Sequence, residues 1–504
     1  MASSARTLNR TGIMDITDST RPLFIGGQWV APQGGTYRPV IDPATGQAIG
    51  RTAIADGVDV ERAVAAAHAA FPAWSRAMPD TRAAIMRRAA DLIEQRVDHI
   101  ATALTREQGK PVPDSRKEIL FGAEVLRYYA EEGRRMGGTL RPSVRPDIRS
   151  IVSSGPVGVV AAIVPWNYPV DLYAWKIAPA LAAGCTMVVK PPPETPFAIA
   201  AVIDCLTEAG LPAGVLNDIP GDGPDVGAAL SAHPGISLIS ATASVPAGQA
   251  IMRAAAGNLK RVALELGGQC PFVVLDDADI EDAAAAAARR SFSNMGQICI
   301  AVNRILVARS VQDRFVEALV AITSAIRPGP GIEPGVTYGP VMNDSVRERA
   351  DLHVRDAVDR GARLLCGGHA LHDGVPEGGF YYSPAVLTDV PADALAMTHE
   401  TFGPVAAIHA FDTDAQALSL ANALPFGLAA YVYSRDLERA WGLADHIEAG
   451  GIGINVNDVS ELQAPFGGWK MSGHGRELGP EGLALYRESR HIRMRVRPPV
   501  LPPG

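Results

Sequence analysis

The run Val157-Gly158-Val159-Val160-Ala161-Ala162-Ile163-Val164, taken with the elements C-terminal to it, decides the fold class. A continuous apolar stretch of this length, without alternation, reads as a strand buried on both faces. A helical pattern over Val170 to Ala183 comes next, then a strand from Met187 to Val189, a helix from Phe197 to Ala209 and a short strand from Val215 to Ile219. A helix near Ala228, the strand Ser237 to Ser240 and a helix from Pro246 continue the series. Strands alternating with helices imply a parallel sheet covered on both faces, an α/β architecture suited to dinucleotides.

Further along the chain, a second alternation runs from Phe272 to about Val456 and includes an amphipathic helix through Phe315, Leu319, Ile322 and Ile326. A single core stops growing at roughly 250–300 residues, so a chain of 504 residues predicts two Rossmann-like α/β lobes. Upstream, two long helices are expected; in the second, Ile85, Ala89, Leu92, Ile93, Ile100 and Leu104 recur at helical spacing. At the far end Ile492, Met494 and Val496 alternate with Arg493, Arg495 and Arg497, the period of a strand with one apolar and one basic face. The first twenty residues read as a disordered tail: Arg6 and Arg10 faintly suggest a transit peptide, but Asp15, Asp18 and the missing apolar core argue against one.

A net charge of -8 argues against nucleic acid or an anionic membrane as partner. The five cysteines, at 185, 205, 270, 299 and 366, include no CxxC pair, so neither a disulfide framework nor a thiol metal site is expected. No apolar run reaches the roughly 18 residues that span a bilayer. A soluble, cytoplasmic protein is the resulting expectation.

The chemistry concentrates in two segments. In Phe292-Ser293-Asn294-Met295-Gly296-Gln297-Ile298-Cys299 a helical run from Asp279 to Arg290 is broken at Gly296, ahead of a strand from Ile305 to Val307. Cys299 thus falls in a connection between buried elements, where reactive groups tend to be held; a free cysteine is otherwise a small core hydrophobe. In Val262-Ala263-Leu264-Glu265-Leu266-Gly267-Gly268 a carboxylate interrupts an apolar strand, and a buried carboxylate is paired, protonated or used as a base. The glycine-rich Gly221-Asp222-Gly223-Pro224-Asp225-Val226-Gly227 comes after a strand, but its third glycine is one place late and no acidic residue lies about 20 positions on. It reads as a turn near a cofactor.

Together these segments resemble the aldehyde dehydrogenase superfamily. Further motifs match in the same order: Pro165-Trp166-Asn167-Tyr168-Pro169, Lys190-Pro191 with Thr195-Pro196, Glu400-Thr401-Phe402-Gly403-Pro404-Val405, and Pro465-Phe466-Gly467-Gly468 running into Ser472-Gly473-His474-Gly475-Arg476-Glu477-Leu478-Gly479. The resemblance spans about Phe24 to Arg490. It implies a cofactor-binding domain at 21–135 and 155–265, a catalytic domain at 266–470, and a β arm at 136–154 and 484–500 that joins subunits into a homodimer or homotetramer. It implies oxidation of an aldehyde to an acid with NAD, with NADP left open and no metal.

By that resemblance Cys299 is the nucleophile, Glu265 the general base and Asn167 an oxyanion donor beside the Cys299 amide; Lys176 and Glu477 orient groups or relay protons. Cofactor contacts fall on Val164, Pro165, Trp166, Lys190, Gly223, Gly227, Ser244, Leu266, Glu400 and Phe402. The aldehyde tunnel falls on Tyr168, Leu172, Trp175, Ile298, Ile300 and Phe466.

The chain departs from the family pattern in places. Ala241-Thr242-Ala243-Ser244 replaces Phe-Thr-Gly-Ser, Pro246 enters the cofactor helix, and Pro193 stands where many relatives have a Glu on the ribose. NAD is expected over NADP because no Arg or second Lys lies beside Lys190. Trp175 and Ser293 occupy positions where semialdehyde-oxidising relatives carry arginines, so the tunnel is expected to lack cations and to take uncharged medium-chain or aromatic aldehydes. Asp171 is expected to point away from it. The alternatives are a non-catalytic protein retaining the fold, a CoA-acylating relative, and a semialdehyde or betaine-aldehyde dehydrogenase.

Overall fold

The apolar run at 157–164 forms the strand Val159–Ile163, buried on both faces as its unbroken apolar character demands. The computed structural model describes residues 19–496. In it this strand sits inside an eight-stranded sheet whose parallel core runs, in spatial order, Arg261–Leu266, Leu238–Ala243, Val159–Ile163, Thr186–Lys190 and Leu216–Asp218. Gly473–His474 adds antiparallel at one edge, and the hairpin Leu23–Ile25 with Gln28–Val30 at the other. The chain order reverses between Val159–Ile163 and Leu238–Ala243, so a crevice opens there at the carboxyl ends of the strands.

A second, seven-stranded sheet has the order Arg363–Cys366, Ala385–Thr388, Val405–Phe411, Arg304–Ala308, Pro271–Val274, Ala429–Tyr433 and Gly451–Ile454, parallel except at its first pair. A third sheet pairs Arg487–Arg495 with Ile148–Pro156 and that with Thr139–Arg141, all antiparallel. It is open to solvent: Ile492 and Met494 are exposed.

Some expectations about local structure require correction. Two long helices upstream become four, Gly57–Trp74, Pro79–Gln95, Val97–Gln108 and Val112–Arg134. The apolar stripe through Ile85 and Leu104 crosses a break at Arg96, whose φ of -107° and ψ of 12° leave helical geometry while the spacing carries on. In the helix Gln312–Ser324, Phe315 and Leu319 are buried, but Ile322 faces solvent and Ile326 lies beyond the end. The expected tail ends two residues early, because Ser19 and Thr20 belong to the strand Ser19–Arg21, paired with Gln47–Ala53. Residues 1–18 and the stretch after 496, where the expected arm ends, lie outside the described residues. Among the described residues no helix is long and apolar enough to cross a membrane.

Candidate active site

Cys299 sits in the connection between the helix Ile280–Phe292 and the strand Arg304–Ala308. The helix stops at Phe292, four residues before the glycine expected to break it, and the chain then turns through Asn294, Met295 and Gly296 with φ of 48°, 55° and 73°. Such left-handed backbone is rare outside glycine and asparagine and marks strain at a functional loop. Only glycine fits at 296: a Cβ there would lie 2.3 Å from the Gly403 carbonyl oxygen. The loop lays Cys299 against a cavity of about 410 Å³. Burial raises the thiol pKa, and the neighbouring Cys270, Glu400 and Glu265 raise it further against the opposing Arg290. These influences favour the protonated thiol over the thiolate, so the group gains nucleophilicity only when its proton is removed.

Asn167 lies opposite, in the turn between Val159–Ile163 and the helix Pro169–Ala183. Its amide does not cap that helix. Nδ2 donates to the Gln297 carbonyl at 3.0 Å, two residues from Cys299, while Oδ1 is buried without a partner. The Asn167 carbonyl is held twice, by Lys110 Nζ at 2.7 Å and Asn294 Nδ2 at 3.0 Å.

Lys110 is fully buried, pairs with Glu118 at 2.5 Å and lies 3.9 Å from the centre of the Tyr168 ring. Glu118 in turn accepts from Val170 N at 2.9 Å, satisfying an amide at the helix start. Gln108 ties the same corner to the loop that carries Cys299, donating to Asn294 Oδ1 at 2.9 Å and accepting from Lys110 N at 3.0 Å. Sequence reasoning missed this network. Its only signal was a polar Gln108-Gly109-Lys110 at the end of an apolar helix.

Glu265 stands on the edge of the parallel core, in register with Thr242 on one side and Gly473 on the other. Burial raises its pKa well above the ordinary carboxylate range, and the Glu477 charge adds to this, with Lys176 and Arg476 opposing. Lys176 does not line the cavity; it pairs with Glu477 at 2.5 Å, fully buried. Four residues that line this one space each carry a buried polar atom without a partner: Asn167 Oδ1, Thr242 Oγ1, Glu265 Oε2 and Glu477 Oε2. Natural cores rarely leave such groups unpaired except where a ligand or reacting group will meet them.

The remaining candidates lie at the strand ends. Val164 and Lys190 are joined by a backbone bond of 3.1 Å, and Lys190 Nζ donates to the Gly221 carbonyl at 3.1 Å. Gly223–Gly227 forms a wide helical turn, with open space beside Gly223. Ser244 begins the helix Val245–Ala255 without a side-chain capping bond, so the first-turn amides lack that partner, and Pro246 removes one of them. That helix packs tightly on the sheet: a Cβ at Gly248 would meet the Leu266 side chain at 2.5 Å. Ala241 is fully buried in the apolar layer, paired with Ile163 and Leu264. Glu400 reaches the Gly267-Gly268 turn, accepting from Gly268 N at 3.3 Å; burial pushes its pKa up to about 7. Trp166 and Phe402 meet edge to face at 5.5 Å. A cation hidden by sequence distance is Arg38, whose ion pair with Asp222 at 2.7 Å adjoins Gly223.

At the outer end Tyr168, Leu172, Trp175, Ile298, Ile300 and Phe466 all line the cavity. Trp175 stands edge to face with Phe466 at 5.1 Å and with Phe121 at 6.5 Å, the last unforeseen. Two expectations fail here. Asp171 also lines the cavity, because Trp175 Nε1, one helical turn on, donates to its Oδ1 at 2.8 Å and holds it there. Cations are present too: Lys117, Arg289 and Arg290 reach the same wall from helices that sequence spacing could not bring together.

The model of the aldehyde dehydrogenase family matches residues 29–492. The succinate semialdehyde dehydrogenase of Acinetobacter baylyi is 40% identical over 94% of this chain and 98% of its own. Among solved structures, an NADP dependent enzyme of E. coli superposes with a TM-score of 0.93 at 38% identity, covering 97% of this chain and 100% of that one. The betaine aldehyde dehydrogenase of Staphylococcus aureus in complex with NAD+ gives 0.92 at 36%, covering 95% and 96%. A thiol, an amide and a carboxyl from three distant segments around one cavity, with homology along nearly the whole length, lead to one conclusion: the chain belongs to the aldehyde dehydrogenase family.

Proposed function

We propose that the protein oxidises an aldehyde to a carboxylic acid with NAD(P)+, using Cys299 as nucleophile. The observation that carries this reading is the meeting of the Cys299 thiol, the Asn167 amide and the Glu265 carboxyl at one cavity, with Glu265 Oε2 buried and without a partner. An aldehyde carbon has no alkoxide from which hydride can leave; addition of the Cys299 sulfur, its S–H proton passing to water, creates one. The Asn167 amide and the Cys299 N–H stabilise the oxyanion, with Lys110 and Asn294 fixing the Asn167 main chain beforehand.

A dinucleotide fits the crevice. Lys190 and the Gly223–Gly227 turn suit its adenosine half, the uncapped start of Val245–Ala255 suits a pyrophosphate, and Glu400 suits the second ribose. Bound there, the nicotinamide supplies the acceptor for the departing hydride. Loss of hydride leaves a thioester on Cys299. Glu265 then takes a proton from water, which attacks the thioester carbon, and the acid leaves as the thiolate is released. Glu477 and Lys176 lie within the same buried charge network and set the proton affinity of Glu265.

NAD+ is the better cofactor in this reading, because Arg38, the cation nearest the Gly223 turn, is already paired with Asp222. The aldehyde carries an uncharged tail, since the arginine positions of the tunnel hold Trp175 and Ser293. The exposed apolar residues of the three-stranded sheet support association of copies as a dimer or tetramer. The test is NADH formation by the purified chain with aldehydes. Absence of turnover with every aldehyde and both cofactors would remove the proposal, and dependence of product on added CoA would redirect it.

A further inference from the structure

We infer that the substrate is a hydroxylated aldehyde, a short chain with hydroxyl groups beyond the carbonyl, and that Asp171 is the residue that selects it; this rests on the reading of Cys299 as the reacting end. The Asp171 carboxyl is built into the wall. It lies in the first turn of the helix Pro169–Ala183 and accepts from Trp175 Nε1 at 2.8 Å, which fixes both side chains in one geometry. Its setting is an aromatic frame of Trp175, Phe466 and Phe121, so a ligand group meeting it is stripped of water.

The charges around it decide what that group is. Arg290 is paired with Asp458 at 2.8 Å, and Lys117 with Asp114 at 3.5 Å. The deeper cations Lys110 and Lys176 are paired with Glu118 and Glu477. A tail carboxylate would have to displace one of these partners or stop at Arg289, which is exposed on the rim. A tail cation fares no better. Asp171 Oδ1 is already taken by the Trp175 indole, and burial and the Glu118 charge raise the Asp171 pKa well above the usual range against the opposing Trp175 bond and Lys110, so the carboxyl is a weakened counterion.

A neutral hydroxyl needs no counterion. Because a hydroxyl both donates and accepts, it can bond to the Asp171 carboxyl in either protonation state and to Ser293, Ser460 or the Asp458 carboxylate on the same wall. An aliphatic tail would gain nothing from these groups, whereas a hydroxyl adds hydrogen bonds to them, and that difference is what separates hydroxylated from alkyl substrates.

The test is the catalytic efficiency of the full-length enzyme with glyceraldehyde and erythrose against propanal and butanal, with succinic semialdehyde and betaine aldehyde alongside. Each value is divided by that for acetaldehyde on the same variant, so that losses in folding or chemistry cancel. The hydroxylated member of each pair should lead by about tenfold or more, Asp171→Leu should reverse the order, and Asp171→Asn should keep part of it. Equal or better use of the alkyl aldehydes, first place for succinic semialdehyde or betaine aldehyde, or an unchanged ratio in Asp171→Leu would overturn the inference. Calorimetric binding of glyceraldehyde to Cys299→Ser with and without Asp171→Leu separates the two readings. Binding lost with Asp171→Leu upholds the tail site even if no aldehyde is turned over; binding that ignores Asp171 overturns it even if acetaldehyde is oxidised.

Discussion

The two ends of the cavity both hold several polar groups and treat them in opposite ways. Around Cys299, Asn167, Glu265 and Glu477 each leave a buried atom without a partner, and burial raises the pKa of Cys299 and of Glu265. Around Asp171, charges are neutralised in pairs, Arg290 with Asp458 and Lys117 with Asp114. This contrast supports the proposal that the Cys299 end does the chemistry. Unmet hydrogen-bonding capacity is costly in a resting protein and becomes useful only when charge develops in a transition state. Paired charges are settled before any ligand arrives, and they can recognise a neutral polar tail without giving up a partner.

The strongest loss should come from the inner end. Cys299→Ser should lower aldehyde-dependent NADH formation by about 10⁴-fold or more, since among the described residues no second thiol lines the cavity wall. Glu265→Gln should separate the two half-reactions, leaving a rapid first turnover of NADH and slowing steady turnover by about 10²-fold or more. The pH dependence has a defined sign. A carboxyl whose pKa is raised is a base only after it ionises, so wild-type turnover should rise with pH, and this rise should vanish in Glu265→Gln. A variant that kept both steady turnover and its pH profile would break the contrast between the ends.

A more modest change tests whether the inner end is held from behind. Lys110→Met leaves the Glu118 charge buried without its partner, and breaking such a pair typically costs about 3–5 kcal/mol. Lys110→Met with Glu118→Gln removes both charges and should recover part of the unfolding midpoint in denaturant, while kcat stays low because the Asn167 carbonyl has lost a donor. Full recovery of kcat in the double variant would assign the pair to stability alone.

The mildest change concerns Glu400. Burial raises its pKa from 4.5 to about 7, so the folded state holds the proton more tightly than the unfolded chain. Its contribution to stability is complete below about pH 4.5 and is lost as pH rises through 7. Glu400→Gln should therefore raise the thermal midpoint at pH 8 and leave it nearly unchanged at pH 4.5. A larger gain at the acidic end would reverse the assigned sign.

The parallel strands were legible in the chain alone, because unbroken apolar runs such as Val159–Ile163 can only be buried on both faces. Cys299, Glu265 and Asn167 stood out in the chain as candidates, because their motifs are local and a carboxylate is costly to bury without cause, and the fold brings the three to one cavity. Tertiary packing settled the rest. The break at Arg96 was invisible because both helices share one apolar phase, and the close approach that requires glycine at 296 because the Gly403 carbonyl it meets lies 107 residues away. Lys110 met Asn167 through a contact spanning 57 residues, and Asp171 was turned into the cavity by the Trp175 indole rather than by helical phase alone. Pattern along a chain records which face is apolar. It does not record which polar side chains from distant elements will meet within hydrogen-bonding distance, and that proximity sets the charge and the reach of every group in this site.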